Sequence, residues 1–119
     1  GAVGCRARGR VADRMAIEEV TVDVLADRLA EGARLIDVRE PDEYAEAHVP
    51  GAVLVPLASV PEHVDTFRGD APVYVICRSG GRSFHACEFV GDQGVAAINV
   101  AGGTLAWIAS GRDVSSGGA

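Results

Sequence analysis

Residues 77–83 read Cys-Arg-Ser-Gly-Gly-Arg-Ser, which places a thiol beside two arginines and two glycines. This heptapeptide follows the apolar run Val73–Ile76 and precedes a segment with a helical pattern. Only the thiolate attacks electrophiles, and a free cysteine thiol has a pKa of about 8.5. A helix N-terminus or a neighbouring cation stabilises the thiolate and lowers this pKa. A buried core cysteine is the alternative, but it suits a lone thiol better than one in these surroundings. The pattern therefore predicts that Cys77 is a nucleophile.

The residues after Cys77 predict a cradle for an anion. Glycine adopts positive φ readily, so Gly80 and Gly81 allow backbone N–H groups to turn toward a common centre. The predicted helix adds unpaired N–H groups at its first turn. Two guanidinium groups match the oxygens of sulfur or phosphorus oxyanions. We expect substrate binding, without a metal ion or organic cofactor, by Arg78, Ser79, Gly80, Gly81, Arg82 and Ser83.

Length and composition are those of a single globular domain, with 119 residues of which 48% are apolar. No apolar run approaches the roughly 20 residues of a membrane span, and no signal-peptide pattern opens the chain, which predicts a cytoplasmic protein. The three cysteines have neither disulfide-framework nor zinc-ligand spacing. The net charge of −6 argues against nucleic acid as a partner.

Charge and glycine content divide the chain into three segments. Residues 1–14 hold four arginines, one aspartate and no apolar period, and we interpret them as a flexible leader or a cloning remnant. Residues 15–114 form the predicted domain. Residues 115–119, Ser-Ser-Gly-Gly-Ala, are expected to be a flexible tail.

Within the domain, short β-branched runs alternate with helix-like segments, which is typical of an α/β protein with a mostly parallel sheet. Helices are predicted over residues 22–31, 41–47, 57–67 with a break at Pro61, 82–90 and 104–109. Ligands of such sheets bind beyond the carboxyl ends of strands, where Cys77 and Arg39 are both expected. The predicted strands are residues 17–20, 35–38, 52–55, 73–76 and 96–100.

Several motifs occur in a characteristic order along the chain. They are Leu-Ile-Asp-Val-Arg-Glu at 35–40, His-Val-Pro-Gly-Ala at 48–52, the loop at 77–83 and Gly-Gly-Thr-Leu-Ala-Trp at 102–107. From about Ile17 to Val114 the sequence resembles the single-domain rhodaneses, a sulfurtransferase family. The resemblance implies a rhodanese-like α/β fold, with a five-stranded, mostly parallel sheet flanked by helices on both faces.

The resemblance also implies an activity of the thiosulfate:cyanide sulfurtransferase type. The residue matching Cys77 would take a sulfane sulfur from a small anionic donor, thiosulfate or a persulfide, and hold it as a persulfide. It would then pass the sulfur to cyanide or a thiol, and a sulfur-relay protein is a further candidate partner. The chain departs from the family pattern at Ala47 and Asp113, where glycine and proline are usual, but neither position touches the expected chemistry.

Two other functions share these features. Rhodanese-like domains also serve as non-catalytic binding or regulatory modules, although such domains often lack the cysteine that this chain keeps. A cysteine-dependent phosphatase or arsenate reductase would use the same thiolate and cradle. Those phosphatases place arginine six positions after the cysteine, whereas Arg82 comes five after Cys77 and Ser83 stands sixth. The shorter loop favours a sulfur atom over a tetrahedral phosphate.

Other polar residues near these motifs are predicted to be structural. We expect Asp37 to fix a strand end, His48 to hydrogen-bond at a turn and Trp107 to anchor the last helix. Arg39 is open between a structural ion pair and a substrate contact. Cys87 is interpreted as a buried helix cysteine, with a resolving thiol as the alternative. The sequence leaves open the physiological donor and acceptor, the pathway and the oligomeric state.

Overall fold

A computed structural model of the chain describes residues 17–118. The predicted leader at residues 1–14 and the first two residues of the predicted domain lie outside this range, as does Ala119. Within residues 17–118, no helix combines the length and the apolar character needed to cross a membrane.

In the described part of the chain, the sheet has five strands, and all neighbouring strands are parallel. The strands are β1 (Glu19–Val20), β2 (Arg34–Asp37), β3 (Val53–Leu54), β4 (Val73–Ile76) and β5 (Ala97–Val100). Their spatial order is β1-β5-β4-β2-β3, so β4, which ends just before Cys77, is the central strand. The predicted α/β architecture is confirmed. The two edge strands are shorter than predicted, since each pairs with a neighbour on one side only.

Over the same residues, five α-helices and one 3₁₀ helix connect and cover the strands. They are α1 (Val22–Ala30), α2 (Pro41–Glu46), the 3₁₀ helix Leu57–Glu62, α3 (Val64–Phe67), α4 (Gly81–Asp92) and α5 (Gly103–Ala109). The helical stretch predicted over residues 57–67 is two elements, because Pro61 lacks the N–H of a continuous α-helix. At the start of α1, the Thr21 hydroxyl accepts the N–H of Val24 at 3.3 Å, as expected of an N-cap.

Helices cover both faces of the sheet, and a hydrophobic cluster is buried on each face. Successive side chains of a strand point to opposite faces, so β4 contributes to both clusters. Val75 and Cys77 pack in the cluster that includes residues of α4, whereas Tyr74 and Ile76 pack in the one that includes residues of α1 and α5. The alternation of β4 therefore directs the Cys77 side chain toward the helix that follows it.

The N-terminus of α5 is bonded to the chain that leaves β4. The Thr104 N–H donates to the carbonyl oxygen of Cys77 at 2.9 Å, and the Leu105 N–H donates to that of Arg78 at 3.0 Å. Gly103, with a φ of +60°, allows this approach, because an added Cβ would lie 2.6 Å from both carbonyl oxygens. These two hydrogen bonds hold the carbonyl groups of Cys77 and Arg78 on the side of the loop that faces α5.

The predicted tail is hydrogen-bonded to the body of the domain in the structure. Ser115 and His48 exchange both backbone hydrogen bonds at 2.8 Å and form an antiparallel bridge. The Gly117 N–H donates to the carbonyl oxygen of Ala45 at 2.7 Å. The last carbonyl groups of a helix have no partner within it, so this segment satisfies part of the C-terminal end of α2.

We expect Gly103→Ala to lower the free energy of unfolding well beyond the effect of positive φ alone. Forcing a non-glycine residue into positive φ costs about 1–2 kcal/mol, and overpacking against the two carbonyl groups adds about 1–3 kcal/mol more. The matched control is Gly111→Ala, because Gly111 has a φ of +83° and open space around it. Chemical denaturation of both variants measures the difference. Equal losses would contradict the close approach of α5 to the loop.

Candidate active site around Cys77

Cys77 lies directly after β4 and is 1% exposed. Its Sγ accepts the backbone N–H of Gly80 at 3.1 Å and lies 3.3 Å from the Oγ of Ser83. Gly80 is the N-cap of α4 with a φ of +112°, a conformation that glycine adopts easily and other residues rarely do. The loop therefore turns back on its own cysteine, and α4 begins with its N-terminus at the sulfur.

Two opposing effects act on the pKa of Cys77. Burial raises the pKa of the thiol, whereas hydrogen bonds from the Ser83 hydroxyl and from the N–H groups of Ser83, Gly80 and Ser79 lower it. The hydrogen bonds dominate, and the pKa of Cys77 is lowered from its ordinary value. The sequence-based expectation relied on both arginines and backbone groups, but uncharged donors make the contacts with the sulfur.

Arg82 is held by an ion pair with Glu43 of α2. Its two terminal nitrogens donate to the two carboxylate oxygens at 2.8 and 2.9 Å. The hydrogen bond with Arg82 lowers the pKa of Glu43 to about 2, so this carboxylate is charged throughout the neutral range. Glu43 Oε1 also accepts the N–H of Glu40 and completes a capping box at the start of α2. The pair connects α2 to α4 and balances the charge of Arg82.

Arg39 and Arg78 have different environments. Arg39 is 5% exposed, donates to both carboxylate oxygens of Asp37 and reaches the carbonyl oxygen of Ala47 at 2.8 Å. The predicted role of Asp37 in fixing a strand end is confirmed by this pair. Arg78 is exposed on the loop. Both arginines line a pocket of about 420 Å³ beside the loop, together with Glu43, Glu46, Ala47, Thr104, Leu105 and Ile108.

Asn99 of β5 is a site residue that the sequence analysis missed. It is fully buried, and its Oδ1 accepts the Ser83 hydroxyl. Its Nδ2 donates to the carbonyl oxygen of Gly80 at 3.1 Å and to a carboxylate oxygen of Glu19 at 2.7 Å. An amide in an otherwise apolar strand was the available signal. Its partners are 16 to 80 residues away in the sequence, so no local pattern reveals them.

The residues predicted to be structural have that role. His48 is buried, stacks on Tyr44 with ring centroids 3.6 Å apart and hydrogen-bonds the Tyr44 carbonyl through Nδ1. Trp107 is buried in α5 and donates from Nε1 to the carbonyl oxygen of Asp113 at 2.8 Å. Cys87 is a buried cysteine of α4, and burial raises its pKa to about 12. It therefore remains a neutral thiol at physiological pH.

The polar groups around Sγ suit an anion rather than a cation. Among residues 17–118, no group of three or more His, Cys, Asp or Glu side chains converges in a way that could hold a metal ion. The groups that face the sulfur are N–H and hydroxyl donors, which match a thiolate or another anion. The fold and this site together define an α/β protein with a buried thiol at the end of its central strand, surrounded by hydrogen-bond donors.

Known proteins resemble this chain in sequence and in fold. The family model described as "Rhodanese-like domain" matches residues 21–110. "Putative sulfurtransferase YtwF" of Bacillus subtilis is 39% identical over 78% of this chain and 92% of its own length. "Thiosulfate sulfurtransferase GlpE" of Pseudomonas entomophila is 34% identical over 66% of this chain and 72% of its own. The crystal structure of a rhodanese-like domain protein from Staphylococcus aureus superposes with a TM-score of 0.72 at 32% identity, covering 76% of this chain and 91% of that one.

The chain belongs to the rhodanese-like domain family. The match covers strands β2 to β5, the Cys77 loop and all of α5. The resemblance drawn from the motifs is confirmed, and so is the implied fold. Relatives in this family are named as sulfurtransferases.

We expect Glu43→Gln to raise the ratio of iodoacetate to iodoacetamide alkylation rates at Cys77 by about two- to fivefold. This factor corresponds to an ion-pair energy of roughly 0.5–1 kcal/mol. Iodoacetate is an anion and iodoacetamide is neutral, so their ratio reports charge near the sulfur independently of the thiolate fraction. Glutamine keeps an acceptor for the Glu40 N–H but no longer neutralises Arg82. Mass spectrometry at low ionic strength gives both rates.

The matched control for this prediction is Glu46→Gln. Glu46 is exposed and lines the same pocket, and its replacement removes the same charge. Arg82 pairs with Glu43 instead, so the control should change the ratio little. An equal increase in both variants would show that overall charge, rather than the Arg82–Glu43 pair, governs the approach of anions.

Cys87 is expected to resist alkylation in the folded protein. With a pKa raised to about 12, only about one molecule in ten thousand carries a Cys87 thiolate at pH 8. Iodoacetamide should label Cys77 and leave Cys87 unmodified until denaturant is added. Peptide mass spectrometry of a Cys5→Ser chain distinguishes the two thiols. Labelling of Cys87 as fast as Cys77 under native conditions would contradict the raised pKa of Cys87.

Proposed function

We propose that the protein is a sulfurtransferase that carries a sulfane sulfur as a persulfide on Cys77. The observation that carries the proposal is the environment of Sγ, a buried sulfur whose pKa is lowered by the donors of Gly80 and Ser83. A lowered pKa increases the fraction of Cys77 that is present as the nucleophilic thiolate, which favours attack without a separate general base. The relative named as a thiosulfate sulfurtransferase supports thiosulfate as a donor.

The first half-reaction is a nucleophilic substitution at sulfur. The Cys77 thiolate attacks the outer sulfur of thiosulfate and forms a new S–S bond. The S–S bond within thiosulfate breaks, and its electron pair leaves with sulfite. The outer sulfur of the persulfide carries negative charge, which the N–H groups of residues 79–83 stabilise. No external oxidant or reductant is needed.

The second half-reaction returns the enzyme to its first state. The carbon of cyanide, or the sulfur of a thiolate acceptor, attacks the outer sulfur of the persulfide. The persulfide S–S bond breaks, its electron pair returns to Cys77, and thiocyanate or a new persulfide leaves. Two sequential covalent steps of this kind produce ping-pong kinetics. A sulfur-relay protein would enter as a donor or acceptor through the same chemistry.

The arginines have separate parts in this proposal. Arg78 is exposed on the loop and attracts the anionic donor. Arg82, held by Glu43, orients the start of α4 and contributes less net charge. Arg39 lies in the wall of the neighbouring pocket, where a larger donor or acceptor would meet it. We retain all three as substrate-binding residues in the proposal, with Arg78 as the principal one.

Access to the sulfur favours transfer of a single atom over hydrolysis of a phosphate ester. Cys77 is 1% exposed, so an attacked atom must reach Sγ through the loop. The terminal sulfur of thiosulfate is one atom wide, whereas a phosphoryl group brings three further oxygens that all need donors. The loop contains four residues between Cys77 and Arg82, one fewer than the phosphatases that share this chemistry. A binding role without catalysis would leave the stabilised thiolate unused.

The test is intact-mass measurement after incubation with thiosulfate, followed by cyanide. We expect a gain of one sulfur atom, about 32 Da, on the Cys5→Ser protein, and its release as thiocyanate on adding cyanide. The Cys77→Ser variant should gain nothing. The Cys87→Ser variant is the matched control, since it removes the other buried thiol and should behave as the parent protein.

Other outcomes are equally informative. Sulfur uptake that survives Cys77→Ser would contradict the proposal. No uptake from thiosulfate, cysteine-derived persulfide or a persulfidated protein would favour the binding role instead. Hydrolysis of an aryl phosphate that is lost in Cys77→Ser would favour a phosphatase.

A further inference from the structure

The Ser83 hydroxyl lies between two acceptors but has only one hydrogen to donate. Its Oγ is 2.5 Å from Oδ1 of Asn99 and 3.3 Å from Sγ of Cys77. Asn99 Oδ1 is the carbonyl end of the amide, because Nδ2 already donates to the Gly80 carbonyl and to Glu19. An amide carbonyl cannot donate, so the hydrogen between Asn99 and Ser83 must come from the hydroxyl.

The protonation state of Cys77 decides where this hydrogen points. In the thiol state the S–H group donates to Ser83 Oγ, and the hydroxyl donates to Asn99. In the thiolate state the sulfur has no hydrogen and becomes the stronger acceptor, because hydrogen bonds to charged groups are about twice as strong as neutral ones. The hydroxyl must then turn away from Asn99, whose buried carbonyl loses its donor.

Asn99 also acts on the second donor to the sulfur. Its Nδ2 holds the carbonyl group of Gly80, and the N–H of the same residue donates to Sγ at 3.1 Å. Two of the donors to Sγ, the Gly80 N–H and the Ser83 hydroxyl, therefore belong to residues that are hydrogen-bonded to one side chain on β5. This side chain does not touch the sulfur itself.

We propose that Asn99 is a positioning residue whose side-chain carbonyl competes with the Cys77 sulfur for the single hydroxyl hydrogen of Ser83, while its amide nitrogen fixes Gly80. The carbonyl limits how far Ser83 stabilises the thiolate. The amide nitrogen keeps the backbone donor aligned. For sulfur transfer, which rests on the proposed function, this balance sets how readily Cys77 attacks a donor and how well it leaves in the second step.

The test is a double-mutant cycle of Asn99→Ala and Ser83→Ala, built on the Cys5→Ser chain. Iodoacetamide rates as a function of pH give the apparent pKa of Cys77 in all four proteins. With Ser83 present, Asn99→Ala removes both the competition and the anchor of Gly80. In the Ser83→Ala background it removes the anchor alone. The difference between these two changes in the pKa of Cys77 therefore measures the competition for the Ser83 hydrogen.

Asn99→Ala changes the pKa of Cys77 by one amount when Ser83 is present and by another in the Ser83→Ala background. We expect the first change to be more negative than the second by about half to one pH unit. Equivalently, Ser83→Ala should raise the pKa more when position 99 is alanine. Additive shifts, or a difference of the opposite sign, would overturn the proposal. A merely structural role of Asn99 predicts additivity, because loss of packing does not depend on the Ser83 hydroxyl.

Charged and titratable groups around Cys77 are the same in all four proteins. They comprise Glu19 of β1, Glu43 of α2, Arg78 of the loop, and Arg82 and Cys87 of α4. Their direct influence on the sulfur therefore cancels in the cycle. Glu19 loses the Asn99 amide in both Asn99 variants, so this change cancels as well.

Asn99 is fully buried, and alanine there risks loss of folding. Thermal unfolding by circular dichroism identifies such a variant, and Asn99→Ser then replaces it, since the serine side chain has no carbonyl to offer Ser83 but keeps a polar group in place. The same sign of coupling is expected. The cycle uses alkylation alone, so a non-additive result together with failed sulfur uptake would reject the proposed function and leave this inference intact.

Discussion

The structure depends on stabilising an ionisable sulfur that is almost completely shielded from water. A charged group without hydration is unfavourable by several kcal/mol unless donors in the protein replace the lost water. The ends of three secondary-structure elements meet at Cys77. Strand β4 ends just before the cysteine, the start of α4 turns its N–H groups toward Sγ, and the start of α5 binds the carbonyl groups of the same loop. Because the carbonyls are occupied on the α5 side, the loop can present its donors to the sulfur.

Charges and uncharged donors have different positions in this site. The uncharged donors of Gly80 and Ser83 contact the sulfur, whereas the nearby guanidinium of Arg82 is paired with Glu43. The carboxyl group of Glu43 has a pKa of about 2, so the pair persists over the whole physiological pH range. Stabilisation of the thiolate therefore does not rely on a mobile cation that an incoming anion would displace. Arg78, exposed on the loop, is left to meet solutes.

Local patterns were sufficient for the order of the strands and for the position of the loop that begins at Cys77. The run Val73–Ile76 is continuously apolar because β4 is buried on both faces, and the position of Cys77 follows from the strand end. Contacts between distant segments were not accessible in this way. Glu43 and Arg82 are 39 residues apart, and Asn99 meets Ser83 only because the register of β5 on β4 places it opposite Val75. Helix α4 begins earlier than predicted because Gly80 takes the left-handed conformation as its cap.

Asn99 shows why a polar residue belongs in this core. A buried carbonyl or hydroxyl without a partner is unfavourable by about 1–3 kcal/mol, and a site whose sulfur changes charge needs partners that serve each state. With the sulfur protonated, Ser83 donates to Asn99 and accepts from the thiol. With the sulfur ionised, Ser83 donates to it instead. In the proposed persulfide Sγ is uncharged, and the hydroxyl is free to return to Asn99. In this proposal one rotating hydroxyl follows the charge of the sulfur without the entry of water, and the Asn99 carbonyl accepts that hydroxyl whenever the sulfur is uncharged.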